Sequence, residues 1–331
     1  MRGYADLVAA IPLPPRPALA RPTEILPPAG AAGHPVAYEP KWDGFRLLVH
    51  DGAVWSRHGR DLRRFFPDLA PALAAAIPAG FVVDGEAVCW SQAAGRLDFA
   101  ALSRRLVAGK GLKAWAAEHP ARLVAFDVLA DADTDLRPLP LIERQVILAD
   151  AVEDAGWVVT LCPQTTDLAL ARTWMSDYLP SGLEGLVAKR LDQAYRPKPE
   201  KIWWKYRARW PADLVILGVT GPPAAPAALL LGATDPATGH LVALGASARL
   251  TRAAARQLGQ DLRTAGVPRL RYLPALPGTT EPVLVQPVEP IVAEFHIDAA
   301  IDHGRLRHPA RFHRLRPDLE PDTVTIDQLP R

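Results

Sequence analysis

The segment Glu39-Pro40-Lys41-Trp42-Asp43-Gly44-Phe45-Arg46 carries a primary amine, two carboxylates and a guanidinium in a short span. Of the 38 Lys and Arg residues only seven are Lys, and Lys41 alone falls in the first hundred positions. Arg keeps its proton at working pH and is never a nucleophile, whereas a Lys amine can be tuned by burial or by a cationic neighbour. Lys41 is therefore the candidate for covalent chemistry. The plain alternative is a solvated Lys before an Asp-Gly turn.

Other polar residues interrupt apolar runs that read as strands. Asp84 and Glu86 stand two apart in Val82-Val83-Asp84-Gly85-Glu86-Ala87-Val88, which points both to one face. Glu184 opens the run that ends Ala188-Lys189-Arg190, and Lys205 and Arg207 share a face of Trp203-Trp204-Lys205-Tyr206-Arg207. Such charges are costly to bury unless they face a charged ligand or each other. An internal salt-bridge network is the bland reading of any one of them.

The elements that must position these groups follow from local pattern. Val36–Glu39 leads into the Lys41 loop, Phe45–His50 and Val54–Arg57 form a hairpin about Asp51-Gly52, and Phe81–Trp90 and Leu123–Leu129 are further strands. Helices are expected over Pro67–Ile77, Asp98–Leu106, Leu112–His119, Leu141–Ala155 and Asp167–Leu179, then strands over Leu183–Arg190 and Ile202–Arg207. Past Trp210-Pro211 come Leu214–Thr220, Ala227–Ala233 and Leu241–Ala246, a helix Thr251–Ala265, and strands Ile291–Ile297 and Arg305–Leu315. Five strands with a helix after the third is the element order of an OB barrel.

A chain of 331 residues has room for two cores, and 49% hydrophobic with 22% charged residues excludes a disordered protein. The net charge of +2 announces no nucleic-acid binder, so any basic surface must come from clustering. Lys189–Arg209 and His303–Arg316 are two such clusters, the second with five Arg, three His and no acid. They read as stripes for phosphate contact or as Arg-guarded edge strands. Cys89 and Cys162 have no metal or disulfide spacing, and the Pro-rich start carries no apolar run, so no membrane span and a cytoplasmic location are expected.

Taken in order, Lys-x-Asp-Gly-x-Arg at 41–46, Ser56-Arg57-x-Gly59, Asp84-Gly85-Glu86, Phe126-Asp127, Glu184-Gly185-Leu186-Val187-Ala188-Lys189 and Trp203-x-Lys205 resemble the covalent nucleotidyltransferases. Within that superfamily the chain is most similar to ATP-dependent DNA ligases of the short bacterial type-C kind. The resemblance implies an α+β architecture: an antiparallel-sheet nucleotidyltransferase (ATP-grasp-like ligase) domain followed by a small OB-fold β-barrel. The corresponding division is a Pro-rich extension at 1–34 lying over the first domain, that adenylation domain at 35–209 and an OB domain at 210–331.

The resemblance also implies roles. Lys41 would attack the α-phosphate of ATP, Glu39 would help recognise adenine, Phe126 would stack on the base and Glu86 would hold the ribose. Arg46 and Arg57 would grip sugar and phosphate, Arg57 the 5′-phosphate of the nick. Glu184, with Glu86, would hold Mg²⁺, and Asp43 would serve the 3′-hydroxyl. Lys205 and Arg207 would neutralise phosphates during transfer, Lys205 also in binding ATP. Arg305, Arg307, Arg311, Arg314 and Arg316 would contact nicked duplex DNA. A monomer working with DNA-repair proteins is the expected setting. RNA ligase, RNA-capping guanylyltransferase and a non-catalytic OB-type binder are the alternatives. Two departures stand out: Arg207 replaces a usual Lys, and Arg316-Pro317-Asp318-Leu319 lacks the usual terminal Lys. From the second, self-adenylylation is expected to be slow and sealing of pre-adenylylated nicks nearly normal.

Overall fold

The computed structural model describes residues 10–197, 201–207, 209–271, 282–298, 301–302, 305–306 and 308–329. Arg307, one of the expected DNA contacts, lies outside them. The chain divides into two compact units, Met1–Arg207 and Ala208–Arg331.

The first unit contains two sheets. One has the strand order β1-β11-β10-β2, formed by β1 (Leu19–Thr23), β2 (Val36–Lys41), β10 (Gly185–Arg190) and β11 (Lys201–Arg207). The other runs β4-β3-β5-β7-β8 from β3 (Phe45–His50), β4 (Ala53–Ser56), β5 (Val82–Ser91), β7 (Ala121–Asp131) and β8 (Thr134–Asp135). Short strands β6 (Arg96–Leu97) and β9 (Val159–Leu161) flank β5 and β7. Helices α1 (Leu69–Ala76), α2 (Phe99–Arg105), α3 (Leu112–Glu118), α4 (Leu141–Val152) and α5 (Leu168–Tyr178) complete the unit. Asp98 and Asp167 cap α2 and α5 by accepting backbone N–H groups of the first turn, which explains where each begins.

The alternation of β3 and β5 sorts their two faces. Leu47, Val49, Val83 and Ala87 join Leu123, Ala125 and the helices in the main core. Leu48 packs instead with Tyr195 and Trp203, residues of the first sheet and of the segment leading into it. The two sheets therefore meet face to face, and the polar residues of β3 and β5 sit at that junction.

The Pro-rich start is extended and supplies edge strand β1, which pairs in parallel with β11, while Ile11 and Ala18 are buried. Proline tolerates such an edge position, where one side of the strand needs no N–H. The helix expected from Pro67 begins at Leu69, and the strand around Asp127 continues to Asp131.

The second unit holds β12 (Arg209–Thr220), β13 (Ala228–Thr234), β14 (Leu241–Ala246), α6 (Arg252–Asp261), β15 (Arg269–Arg271), β16 (Val283–Asp298), β17 (Ile301–Asp302), β18 (Arg305–Leu306) and β19 (Arg311–Leu315). Its main sheet runs β14-β13-β12-β16-β15, with β19 on β16. Beyond β14, Ser247 makes a parallel bridge with Ala310, and Ala248 N–H donates to the Ala310 carbonyl at 2.7 Å. The last long strand starts at Val283, eight residues before the expected Ile291. The expected strand Arg305–Leu315 is split in two.

Candidate active site

Register in the first sheet assembles the site. Lys41 pairs with Gly185 and Gly185 with Arg207; Glu39 pairs with Val187 and Val187 with Lys205. Cross-strand partners share a face, as do residues two apart. Glu39, Lys41, Lys189, Trp203, Lys205 and Arg207 thus belong to one side of the sheet. Gly185 permits this close pairing: its φ is +150°, and a Cβ there would overlap the Tyr206 carbonyl. Gly44 plays a like part after the Lys41 loop, where a Cβ would overlap the Ala87 carbonyl of β5.

At one end the charges concentrate. Lys41 Nζ contacts Glu184 Oε2, and Glu184 N–H donates to the Lys41 carbonyl at 2.9 Å. Arg207 reaches the same carboxylate oxygen at 3.6 Å. Burial, then the positive charges of Arg207, Lys41 and Arg57, hold the Lys205 amine below its ordinary value. Arg57 itself is exposed in the turn after β4. Lys41, Lys205, Arg207 and Arg57 are close enough for their charges to repel one another, and a polyphosphate would relieve that repulsion.

The other end is aromatic. Register between β5 and β7 skips Phe126: Asp84 pairs with Asp127 and Gly85 with Ala125. A bulge of this kind re-aims its side chain, and the Phe126 ring lies under Lys189 Nζ, 4.6 Å from the centroid, and edge-on to Trp203. Lys189 is buried and pairs with Glu39 at 2.7 Å, and Gln164 Nε2 donates to the other Glu39 oxygen at 2.9 Å.

Between the two ends lie Arg46 and Glu86, paired across β3 and β5. Arg46 grips fully buried Asp84 through Nε (2.8 Å) and Nη2 (2.5 Å), and donates to the Ala18 carbonyl at 2.6 Å. Tyr195 hydroxyl donates to Asp84 at 2.7 Å and accepts from Ala18 N–H. For Asp84 the internal ion pair is thus the observed arrangement, and Arg46 is bound into it rather than turned wholly toward a ligand. Asp127 is likewise buried against Arg144. Asp43 is half-buried in the Lys41 loop.

Glu86 is a strongly displaced acid. Burial pushes its carboxyl up to about 8, against the pull of Lys41 and Arg46, with Asp84 and Glu184 adding to the rise. The folded protein therefore holds a proton there that the unfolded chain, near 4.5, gives up. Stability from this group is complete at low pH and falls as pH climbs between those values. In buffer free of divalent cations, the melting temperature of Glu86→Gln should gain on the parent by several degrees from about pH 5 to about pH 9. A difference that stays flat with pH would contradict this.

Among the described residues, no three His, Cys, Asp or Glu side chains gather as a metal site. Glu184 and Glu86 are close enough to influence each other's charge. A pair of carboxylates beside a cluster of cations fits Mg²⁺, which takes one or two carboxylates and completes its shell with water and phosphate oxygens.

The basic residues of the second unit are less free than their local sequence suggests. Arg305, Arg311 and Arg314 are exposed, but Arg314 pairs with Glu294 at 2.8 Å. Arg316 pairs with Asp318 at 2.7 Å and Asp213 at 3.1 Å. Leu319 packs against the core of this unit.

A family model described as ATP dependent DNA ligase domain matches residues 17–207. The chain belongs to the ATP-dependent DNA ligases. It is 35% identical to DNA ligase C2 of Mycolicibacterium smegmatis, over 96% of this chain and 95% of that one. It is 32% identical to DNA ligase C of Mycobacterium tuberculosis, over 96% and 94%. A solved Lig E DNA ligase structure shares the fold at a TM-score of 0.56 and 16% identity, covering 91% of this ligase and 99% of that chain. The ligase is thus an enzyme that uses ATP to join DNA strands, with mixed α+β structure and antiparallel sheets, and the capping and non-catalytic alternatives fall away. No helix among its described residues is long and apolar enough to cross a membrane.

Sequence reasoning passed over three residues here. Lys189 was recognisable as one of the few Lys, but its motif position gave no hint that it would be buried against Glu39. Gln164 and Tyr195 had no signal, because each lies outside the six motifs and acts through a partner more than a hundred positions away.

Proposed function

We propose that this ligase seals 3′-hydroxyl/5′-phosphate breaks in duplex DNA through a Lys41–AMP intermediate. The contact of Lys41 with Glu184, inside a cluster of cations, is the observation that carries the reading. Lys41 must lose a proton before it can attack, and Glu184 Oε2 is the acceptor touching it. The amine then forms a bond to the α-phosphate of ATP, and pyrophosphate leaves. Phe126 and Glu39 hold the base, Glu86 and Arg46 the sugar, and Lys205 and Arg207 stabilise charge on the phosphate oxygens. Mg²⁺ bound by Glu184 and Glu86 would supply a Lewis acid for the phosphates.

AMP passes next to the 5′-phosphate of the nick, held by Arg57, and Asp43 positions the 3′-hydroxyl that finally displaces AMP. The second unit is read as an OB-type barrel, because the parallel bridge from Ser247 to Ala310 joins its third strand to its last, the pairing that closes such barrels. Exposed Arg305, Arg311 and Arg314 supply phosphate contacts that position the duplex without reading sequence; Arg307 and Arg316 are assigned the same task. Action as a monomer is part of the proposal. Work in the cytoplasm beside DNA-repair proteins completes the proposal.

The test compares sealing of a nicked duplex from ATP with sealing of the same nick already adenylylated. Both should require Mg²⁺ and stop in EDTA, and both should weaken steeply with salt as counterions compete for the duplex. With Leu319 in place of a basic residue, the first reaction should be the slower. Sealing from ATP that is indifferent to EDTA would contradict the proposal.

A further inference from the structure

The base end of the site contains a side chain to which the steps above assign no task. Gln164 stands between β9 and α5, and its Nε2 donates to Glu39 Oε1 at 2.9 Å while Lys189 Nζ lies 2.7 Å from Oε2. Glu39 is only 3% exposed, so these two donors define how it is oriented. A carboxylate accepts about four hydrogen bonds and donates none, which leaves acceptor positions on both oxygens. Burial raises the Glu39 carboxyl toward its protonated form, and Lys189 and Gln164 both oppose that.

We propose that Gln164 is the positioning residue for base selectivity: it locks Glu39 as an acceptor-only edge. Such an edge takes the 6-amino group of adenine and repels the 6-carbonyl of guanine. The side-chain amide matters twice, by aiming the carboxylate and by stabilising it without a proton. This rests on the reading that Glu39 faces the base. Phe126 supports the placement, because Lys189, the partner of Glu39, also lies over its ring.

The test measures equilibrium binding of ATP and of GTP by calorimetry in a Lys41→Ala background, which cannot consume either nucleotide. Gln164→Leu should lower the ATP-to-GTP affinity ratio about tenfold, mainly by weakening ATP, the scale of one hydrogen bond near a charge. Gln164→Glu should lower it further, because adjacent carboxylates share a proton and one of them becomes a donor. A merely structural loss would weaken both nucleotides alike and leave the ratio unmoved. If both variants keep the parent ratio while Glu39→Ala lowers it, the role of Gln164 is overturned. If Glu39→Ala also keeps the ratio, Glu39 does not face the base, and the underlying reading fails with it.

Discussion

Lys41→Ala should form no covalent adduct with ATP and should seal nicks from ATP at least about 10⁴-fold more slowly than the parent, the scale of loss when a nucleophile is removed. The size follows from the absence of a substitute. Among the cations of the site, Arg207 and Arg57 cannot act as amines at working pH. Lys205 stands a strand away, opposite Val187 rather than beside Glu184. The same variant should still seal a pre-adenylylated nick, because the amine is needed only to carry AMP from ATP to DNA. Equal loss in both reactions would mean that Lys41 serves the fold or the DNA instead.

Glu184→Gln is the second large effect. Its carboxylate receives Lys41 and lies 3.6 Å from Arg207, so removing the charge unbalances a cluster of cations and takes away the base in contact with the amine. Single-turnover adduct formation should fall by about 10²–10³, as when one preorganised electrostatic group is lost from a transition state. Sealing of pre-adenylylated nicks should fall as well if Glu184 also holds Mg²⁺. A loss below about tenfold in adduct formation would assign Glu184 to structure alone.

The residues proposed to touch the nucleotide were easier to read than those that hold them in place. Lys41, Glu184 and Lys205 lie in short motifs whose polar members interrupt apolar strands, and strand alternation puts such residues on one face. The supporting pairs have no local signature. Arg46 and Asp84 are 38 positions apart, and Tyr195 joins them from 111 positions beyond Asp84. Phe126 could be named for its ring but not for its bulge, since a bulge depends on the partner strand. The proline composition at the start of the chain indicates extension but not a partner, because its parallel partner β11 lies far downstream. The Arg cluster after His303 looked unopposed because the acids that meet it, Glu294 and Asp213, come from β16 and β12. Counting charge along the chain cannot see across a sheet.

The most direct check is peptide-level mass spectrometry of the purified ligase after incubation with ATP and Mg²⁺. A single adenylate on the peptide containing Lys41, lost on addition of nicked DNA and absent from Lys41→Ala, is the predicted result. An adenylate on another residue, or none while the protein still seals nicks from ATP, would contradict it.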